Sequence, residues 1–234
     1  MKIQSKICVI ILSLLAGLML MGSKEIMAAK NVTINDSTFP DLYFQEYILS
    51  TVDKNGDGKL SDAERKVIKV IDVGENSEYQ LELEYPPSQS MKGIEYFPNL
   101  EKLNCSGSAL NELNVTKNTK LIELRCNGNQ IKKLNISKNR KLARLYCQDN
   151  QLKSLSCKKN TKLTELFCGG NKIKTIDVSG NRKLTELSVS HNKIEKLNVS
   201  KMRNLTGLYA SENKLTKLDV SKNTKLINLY VQNN

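Results

Sequence analysis

Seven leucines, Leu100, Leu121, Leu142, Leu163, Leu184, Leu205 and Leu226, stand 21 residues apart without a gap. With this leucine as position 1 of a unit, apolar residues recur at positions 1, 4, 6, 11, 14 and 16. Position 4 is leucine in every unit, from Leu103 to Leu229, and position 14 is leucine or, at Ile176, isoleucine. Position 9 is asparagine from Asn129 to Asn234, with Ser108 as the exception. A period this strict leaves little choice of architecture. Each unit forms one coil, a single coil cannot bury its own apolar face, and only stacking of successive coils makes a core.

The unit contains two nested halves, Leu-x-x-Leu-x-Cys-x-x-Asn followed by Leu-x-x-Leu-x-Val-Ser-x-Asn. Alternation places positions 4 and 6, and 14 and 16, inside and turns position 5 outward. Two alternating stretches predict two short strands per coil, each adding to a parallel sheet. The asparagine at each bend has the donors and acceptor to satisfy turn backbone groups. This pattern resembles the bacterial leucine-rich repeats, in the nested 21-residue form called IRREKO, and the likeness covers residues 100–234. It implies an α+β chain built on a right-handed, curved solenoid with a parallel β-sheet. It also implies recognition, and no chemistry.

The N-terminal third is different. Residues 1–29 read as a secretory signal: Lys2 and Lys6, an apolar run from Ile7 to Met21, then Met27-Ala28-Ala29 as the cleavage region. An uncleaved N-terminal anchor is the alternative, and in both cases the remainder faces the outside, secreted or at the cell surface. Residues 30–67 form a helical cap. Residues 68–99 are a degenerate first coil, in which Ile68, Ile71 and Val73 keep the spacing before an acidic insertion containing Tyr85-Pro86-Pro87.

Within the cap, Asp53-Lys-Asn55-Gly-Asp57-Gly58-Lys59-Leu60-Ser61-Asp62-Ala-Glu64 fits the spacing of a calcium loop at every fixed position. Calcium takes six to eight hard oxygens. Asp53, Asn55 and Asp57 would offer side-chain oxygens, Lys59 its carbonyl, Ser61 its hydroxyl or a water, and Glu64 both carboxylate oxygens. Gly58 permits the sharp turn. The loop resembles an EF-hand, and helices are expected from Pro40 to Val52 and from Asp62 onward, the latter carrying Ala63, Val67, Ile68 and Val70 as apolar residues. An acidic turn that binds nothing is the competing reading. A helical cap with an EF-hand-like loop is similar to that of internalin-like surface proteins.

Cys105, Cys126, Cys147 and Cys168 share position 6, where later coils have Val189, Ala210 and Val231, and Cys157 takes position 16. Exchange with valine and alanine marks them as small core side chains. Stacked coils about 4.8 Å apart lie within bridging range, but in-register neighbours point the same way, so a disulfide would be strained. A row of thiolates is also not the tetrahedron that zinc requires. The chain holds one histidine, His191, which excludes paired-histidine metal sites and leaves no support for an enzyme.

Charge divides the chain. Residues 30–99 carry 7 basic and 13 acidic residues, a balance of −6, whereas residues 100–234 carry 26 and 10, a balance of +16. Lysines form columns at position 18 (Lys117, Lys138, Lys159, Lys201, Lys222) and position 21 (Lys120, Lys141, Lys162, Lys183, Lys225). They read either as a solvated edge or as an attractor of anionic cell-wall polymers; a secretion signal argues against nucleic acid. Position 5 reads Asn104, Arg125, Tyr146, Phe167, Ser188, Tyr209, Tyr230, with Arg144, Glu165 and Glu186 beside it at position 3. Four of the twelve tyrosines and phenylalanines sit in that one column. Exposed rings on a rigid sheet suit protein or glycan recognition, and stacking between coils is the plainer alternative.

The expected function is therefore a monomeric recognition module that binds a protein or glycan through its sheet face, with a structural calcium ion in its cap. The alternative is a structural envelope protein held by its basic columns. After signal cleavage no membrane contact is expected. The array ends at Asn234 in a half-finished coil, so a continuation of the natural chain is also expected.

Overall fold

The computed structural model describes residues 31–75, 77 and 88–234. The signal segment at 1–29 and the Tyr85-Pro86-Pro87 stretch of the insertion lie outside the described residues. Among the described residues, no helix is long and apolar enough to cross a membrane.

The cap opens with strand β1 (Val32–Thr33), which pairs antiparallel with β2 (Lys59–Leu60). Helix α1 (Leu42–Tyr47) runs into a five-residue π-turn, Ile48–Val52, and α2 spans Asp62–Val67. Asp41 caps α1 by accepting the Phe44 N–H at 2.9 Å. The same carboxylate accepts the Ser88 hydroxyl at 2.8 Å and the Gln89 N–H at 2.7 Å, fastening the cap to the return of the insertion. Ser61 and Glu64 form a reciprocal capping box at the start of α2. Phe39, Phe44, Ile48 and Leu60 are buried in one core with Phe97 and Leu100, so the cap covers the first coil. Helix α2 is shorter than expected. It is only six residues long and buries none of them, and Val67 is 71% exposed. Ile68 is its C-cap and Val70 begins the next strand, so only Ala63 and Val67 of the apolar residues expected on it belong to the helix.

Eight parallel strands follow in strict chain order: β3 (Val70–Asp72), β4 (Lys102–Asn104), β5 (Glu123–Arg125), β6 (Arg144–Tyr146), β7 (Glu165–Phe167), β8 (Glu186–Ser188), β9 (Gly207–Tyr209) and β10 (Asn228–Tyr230). From β4 onward every position pairs with its own equivalent, as Leu124 does with Leu145. Ile71 pairs with Leu103, a step of 32 residues, so the degenerate unit is in register despite the longer step. Positions 1, 4, 6, 11 and 16 are buried through the central coils, and position 14 nearly so. The five cysteines outside the expected signal segment are buried and free.

The expectation of two strands per coil is corrected. Only the first half of each unit forms a strand, three residues long, and the second half contributes one isolated bridge, Leu113 with Leu134. The two halves differ in their backbone hydrogen bonds. On the first half, each position-6 N–H donates to the position-5 carbonyl of the next coil, as Cys105 does to Arg125 at 2.9 Å. On the second half, the position-16 carbonyl is taken twice. The Val115 carbonyl accepts the Asn118 N–H of its own turn at 3.0 Å and the Asn139 side-chain amide of the next coil at 2.9 Å. Position 6 has the same double use, as the Cys126 carbonyl accepts from Asn129 and Asn150. What the second half lacks, among the described residues, is the bond from the position-16 N–H to the next coil's position-15 carbonyl, and a ladder of asparagine amides ties the coils together there.

A second asparagine ladder runs at position 9. Asn171 donates to the carbonyls of Cys147, Cys168 and Gly169, and its Oδ1 accepts the Leu152 N–H at 2.9 Å. Asn129, Asn150, Asn192 and Asn213 repeat the arrangement. The residue before position 9 has a left-handed backbone in every coil: Gly107, Gly128, Asp149, Gly170, His191, Glu212 and Asn233 all lie between φ +54 and +64. His191 is thus a turn residue.

Candidate functional site

The sheet turns positions 3 and 5 outward, and the two columns run side by side across all the coils. The central strands show the expected alternation, with position 4 buried and its neighbours half-exposed. All eight residues expected to bind a ligand, Arg125, Arg144, Tyr146, Glu165, Phe167, Glu186, Tyr209 and Tyr230, lie on this one face.

Position 5 forms two stacks. The Arg125 guanidinium lies 4.3 Å from the centre of the Tyr146 ring, and Tyr146 stacks on Phe167 with centroids 5.3 Å apart. Ser188 interrupts the column. Beyond it, Tyr209 and Tyr230 stack at 5.3 Å with planes 10° from parallel. The rings therefore do both things that the sequence allowed. They pack between coils and leave a half-exposed edge to solvent.

Position 3 is a charge column, reading Lys102, Glu123, Arg144, Glu165, Glu186, Gly207 in register. Glu123 lies between two arginines: Arg125 Nε donates to its Oε1 at 2.6 Å, and Arg144 Nη2 to its Oε2 at 2.6 Å. Burial acts to raise the Glu123 carboxyl, but the bonds from Arg144 and Arg125 outweigh it and hold the group below its ordinary value. Glu165 and Glu186 are like charges on paired strands, and they turn apart. Glu165 accepts the Tyr146 hydroxyl. Glu186 accepts the Thr206 hydroxyl at 2.7 Å and folds across Gly207, where a Cβ would clash with its carboxylate. Burial, and then the bond to Glu165, push the Tyr146 phenol up to about 12.

Sequence reasoning did not single out Glu123 or Asp72. Glu123 shares position 3 with Arg144, so the column itself was the available signal. Asp72 accepts the Asn104 amide at 2.9 Å, and with Lys102, Glu123 and Arg125 they line a depression of about 240 Å³ at the first strands.

In the cap loop, Gly56 and Gly58 have φ of +67 and +70. Asp53, which is buried, accepts the Gly56 and Gly58 N–H groups at 3.0 and 2.9 Å, Asn55 accepts from Asp57, and Asp57 accepts from Lys59. Glu64 Oε1 accepts the Lys54 N–H and Oε2 accepts both groups of Ser61, which hold its carboxyl below the ordinary value. The donor set fits calcium in kind and order, since every proposed donor is a hard oxygen on one twelve-residue loop. Among the described residues, however, no three acidic, histidine or cysteine side chains converge as a metal-binding group.

One strand per coil, buried leucine columns and asparagine ladders define this chain as a leucine-rich-repeat solenoid. Solved structures of that fold resemble it. A functional domain of InlJ from Listeria monocytogenes, which includes a cysteine ladder, is 27% identical with a TM-score of 0.66, covering 88% of this chain and 48% of that one. Internalin C2 from the same organism is 21% identical with a TM-score of 0.73, covering 87% and 88%. The internalin InlF, also from that organism, is 22% identical with a TM-score of 0.55, covering 87% and 78%. The chain thus spans about half the length of the InlJ domain. No protein-family model and no curated protein matches the sequence.

Proposed function

We propose that this chain is a secreted or cell-surface recognition module that takes a protein or glycan partner on its sheet face. The observation that carries this reading is the pair of aromatic stacks, Tyr146 on Phe167 and Tyr209 on Tyr230, held outward on a parallel sheet and flanked by charge. Rings fixed by their neighbours lose little conformational entropy on binding, and such anchors contribute about 2 kcal/mol or more at interface hot spots. Their internalin-like neighbours make a protein the first partner class to try. No catalytic role is proposed, because His191, exposed at a turn, has the place that glycine takes in other coils.

The test is a screen of the mature protein against extracellular proteins and glycan arrays, followed by the Tyr146→Ala, Phe167→Ala double variant. Affinity is expected to fall at least tenfold with the circular-dichroism spectrum unchanged. Normal binding by that variant would remove the sheet face as the contact surface.

The cap loop is proposed to hold one calcium ion through Asp53, Asn55, Asp57, Lys59, Ser61 and Glu64. The ion would neutralise three carboxylates crowded on one loop and brace the junction between α2 and the first coil. What supports this is the complete donor order and the left-handed glycines that shape the turn.

A further inference from the structure

Positions 17 to 21 of each coil form a turn along one edge of the solenoid. Between Thr116 and Lys225 this turn recurs six times, and none of its thirty residues is acidic or aromatic. Fourteen are lysine or arginine, and every one of these is exposed. None takes part in an ion pair among the described residues. The acidic side chains just before two of the turns, Asp177 and Asp219, cap their own turns by accepting the N–H groups of Ser179 and Ser221. A surface kept only for solubility would mix both signs, as the sheet face does; this edge excludes one.

The row is also held in register. Buried Asn139 sits in the middle of one such turn and donates to the Val115 and Asn118 carbonyls of the coil before it, at 2.9 Å each. Asn160, Asn181 and Asn223 do the same. The turns are therefore stitched together, and their cations recur on a fixed ruler of roughly 4.8 Å per coil. Side chains at this edge reach a neighbouring coil: Lys225 Nζ donates to Asn204 Oδ1 of the coil before it at 2.9 Å.

From this arrangement we propose that the edge binds a linear polyol-phosphate polymer, laid lengthwise across the coils. Lysine ammonium groups, eleven of the fourteen cations, suit phosphate as point charges. Serine and threonine hydroxyls at positions 17 and 20 supply further donors. The absence of aromatic side chains argues against single-stranded nucleic acid, which such proteins bind by stacking bases. A flexible polymer with one charge per short unit needs neither stacking nor a shaped pocket. This inference is independent of the sheet face.

The test measures binding of poly(glycerol phosphate) to the full chain by titration calorimetry. Saturable binding is expected, weakening about a hundredfold or more from ~50 to ~200 mM salt. The combined Lys117→Gln, Lys138→Gln, Lys159→Gln and Lys201→Gln variant should bind at least tenfold more weakly with an unchanged thermal midpoint. A control with the same loss of charge elsewhere, Lys132→Gln, Lys153→Gln, Lys174→Gln and Lys214→Gln, should stay within about twofold of the parent. Equal weakening in both variants would reduce the effect to net charge and overturn the proposal. Absence of binding at low salt would overturn it, as would tighter binding of heparin or poly(dT) than of poly(glycerol phosphate).

Discussion

Tyr146 and Phe167 stack across adjacent coils with ring centroids 5.3 Å apart and planes 20° from parallel. Their Cα atoms are direct register partners in the parallel sheet, so the stack follows from the 21-residue step itself. The edges they leave exposed share one surface with Arg125, whose guanidinium extends the stack by one coil. Packing and recognition are therefore compatible uses of the same rings.

The two asparagine ladders are expected to differ in strength. Asn171→Met removes three donated bonds and the acceptor for the Leu152 N–H, and should cost about 3 kcal/mol or more. Asn181→Met should cost much less, because Met202 already fills the equivalent place one coil later and the Asn181 Oδ1 is buried without a partner. Urea denaturation of the two variants checks the order.

The buried thiols at positions 6 and 16 should be inert in the folded protein. Burial pushes Cys126 and Cys157 up to about 12, and Cys105 and Cys147 well above the ordinary thiol value. Labelling with a thiol reagent at pH 8 should be negligible until denaturant is added. Cys147→Ser should cost about 1–3 kcal/mol, since a hydroxyl would replace a weakly polar sulfur in an apolar site. Intact mass showing two hydrogens lost per bridge would contradict free thiols.

Glu123 makes part of the stability acid-sensitive. Its folded carboxyl lies below the unfolded value of about 4.3. The contribution is therefore present above pH ~4.3 and lost as pH falls through the lower, folded value. Glu123→Gln should lower stability at pH 7 by about 1–2 kcal/mol and flatten the acid limb of the stability curve. A double-mutant cycle with Arg144→Gln should show coupling, and its absence would make the pair a surface coincidence.

Calcium binding to the cap is expected to be weak, with Kd of about 10⁻⁴–10⁻³ M. Glu64→Gln should remove most of it. Calorimetry of the parent that shows no calcium-dependent heat in the millimolar range would make the loop a hydrogen-bonded turn only.

The period alone determined most of this protein. Spacing of Leu100, Leu121 and their successors dictates coils, and alternation through Leu145 and Tyr146 dictates which side chains face out. Exchange of Cys126 with valine and alanine in other coils dictates a buried thiol. These are local or strictly repeated relations, so one unit states them for all. Tertiary structure decided what depends on competition between coils. It gave the second half of each unit no strand: among the described residues no position-16 N–H reaches a carbonyl of the next coil there, and side-chain amides such as that of Asn139 on the Val115 carbonyl join the coils instead. It joined Asp41 to Ser88 across 47 residues. It also placed Glu123 between Arg125 and Arg144 and turned Glu165 and Glu186 apart, toward Tyr146 and Thr206. A repeat sets where each side chain starts. Which neighbour it reaches depends on rotamers and on the residue one coil away, which the period does not specify.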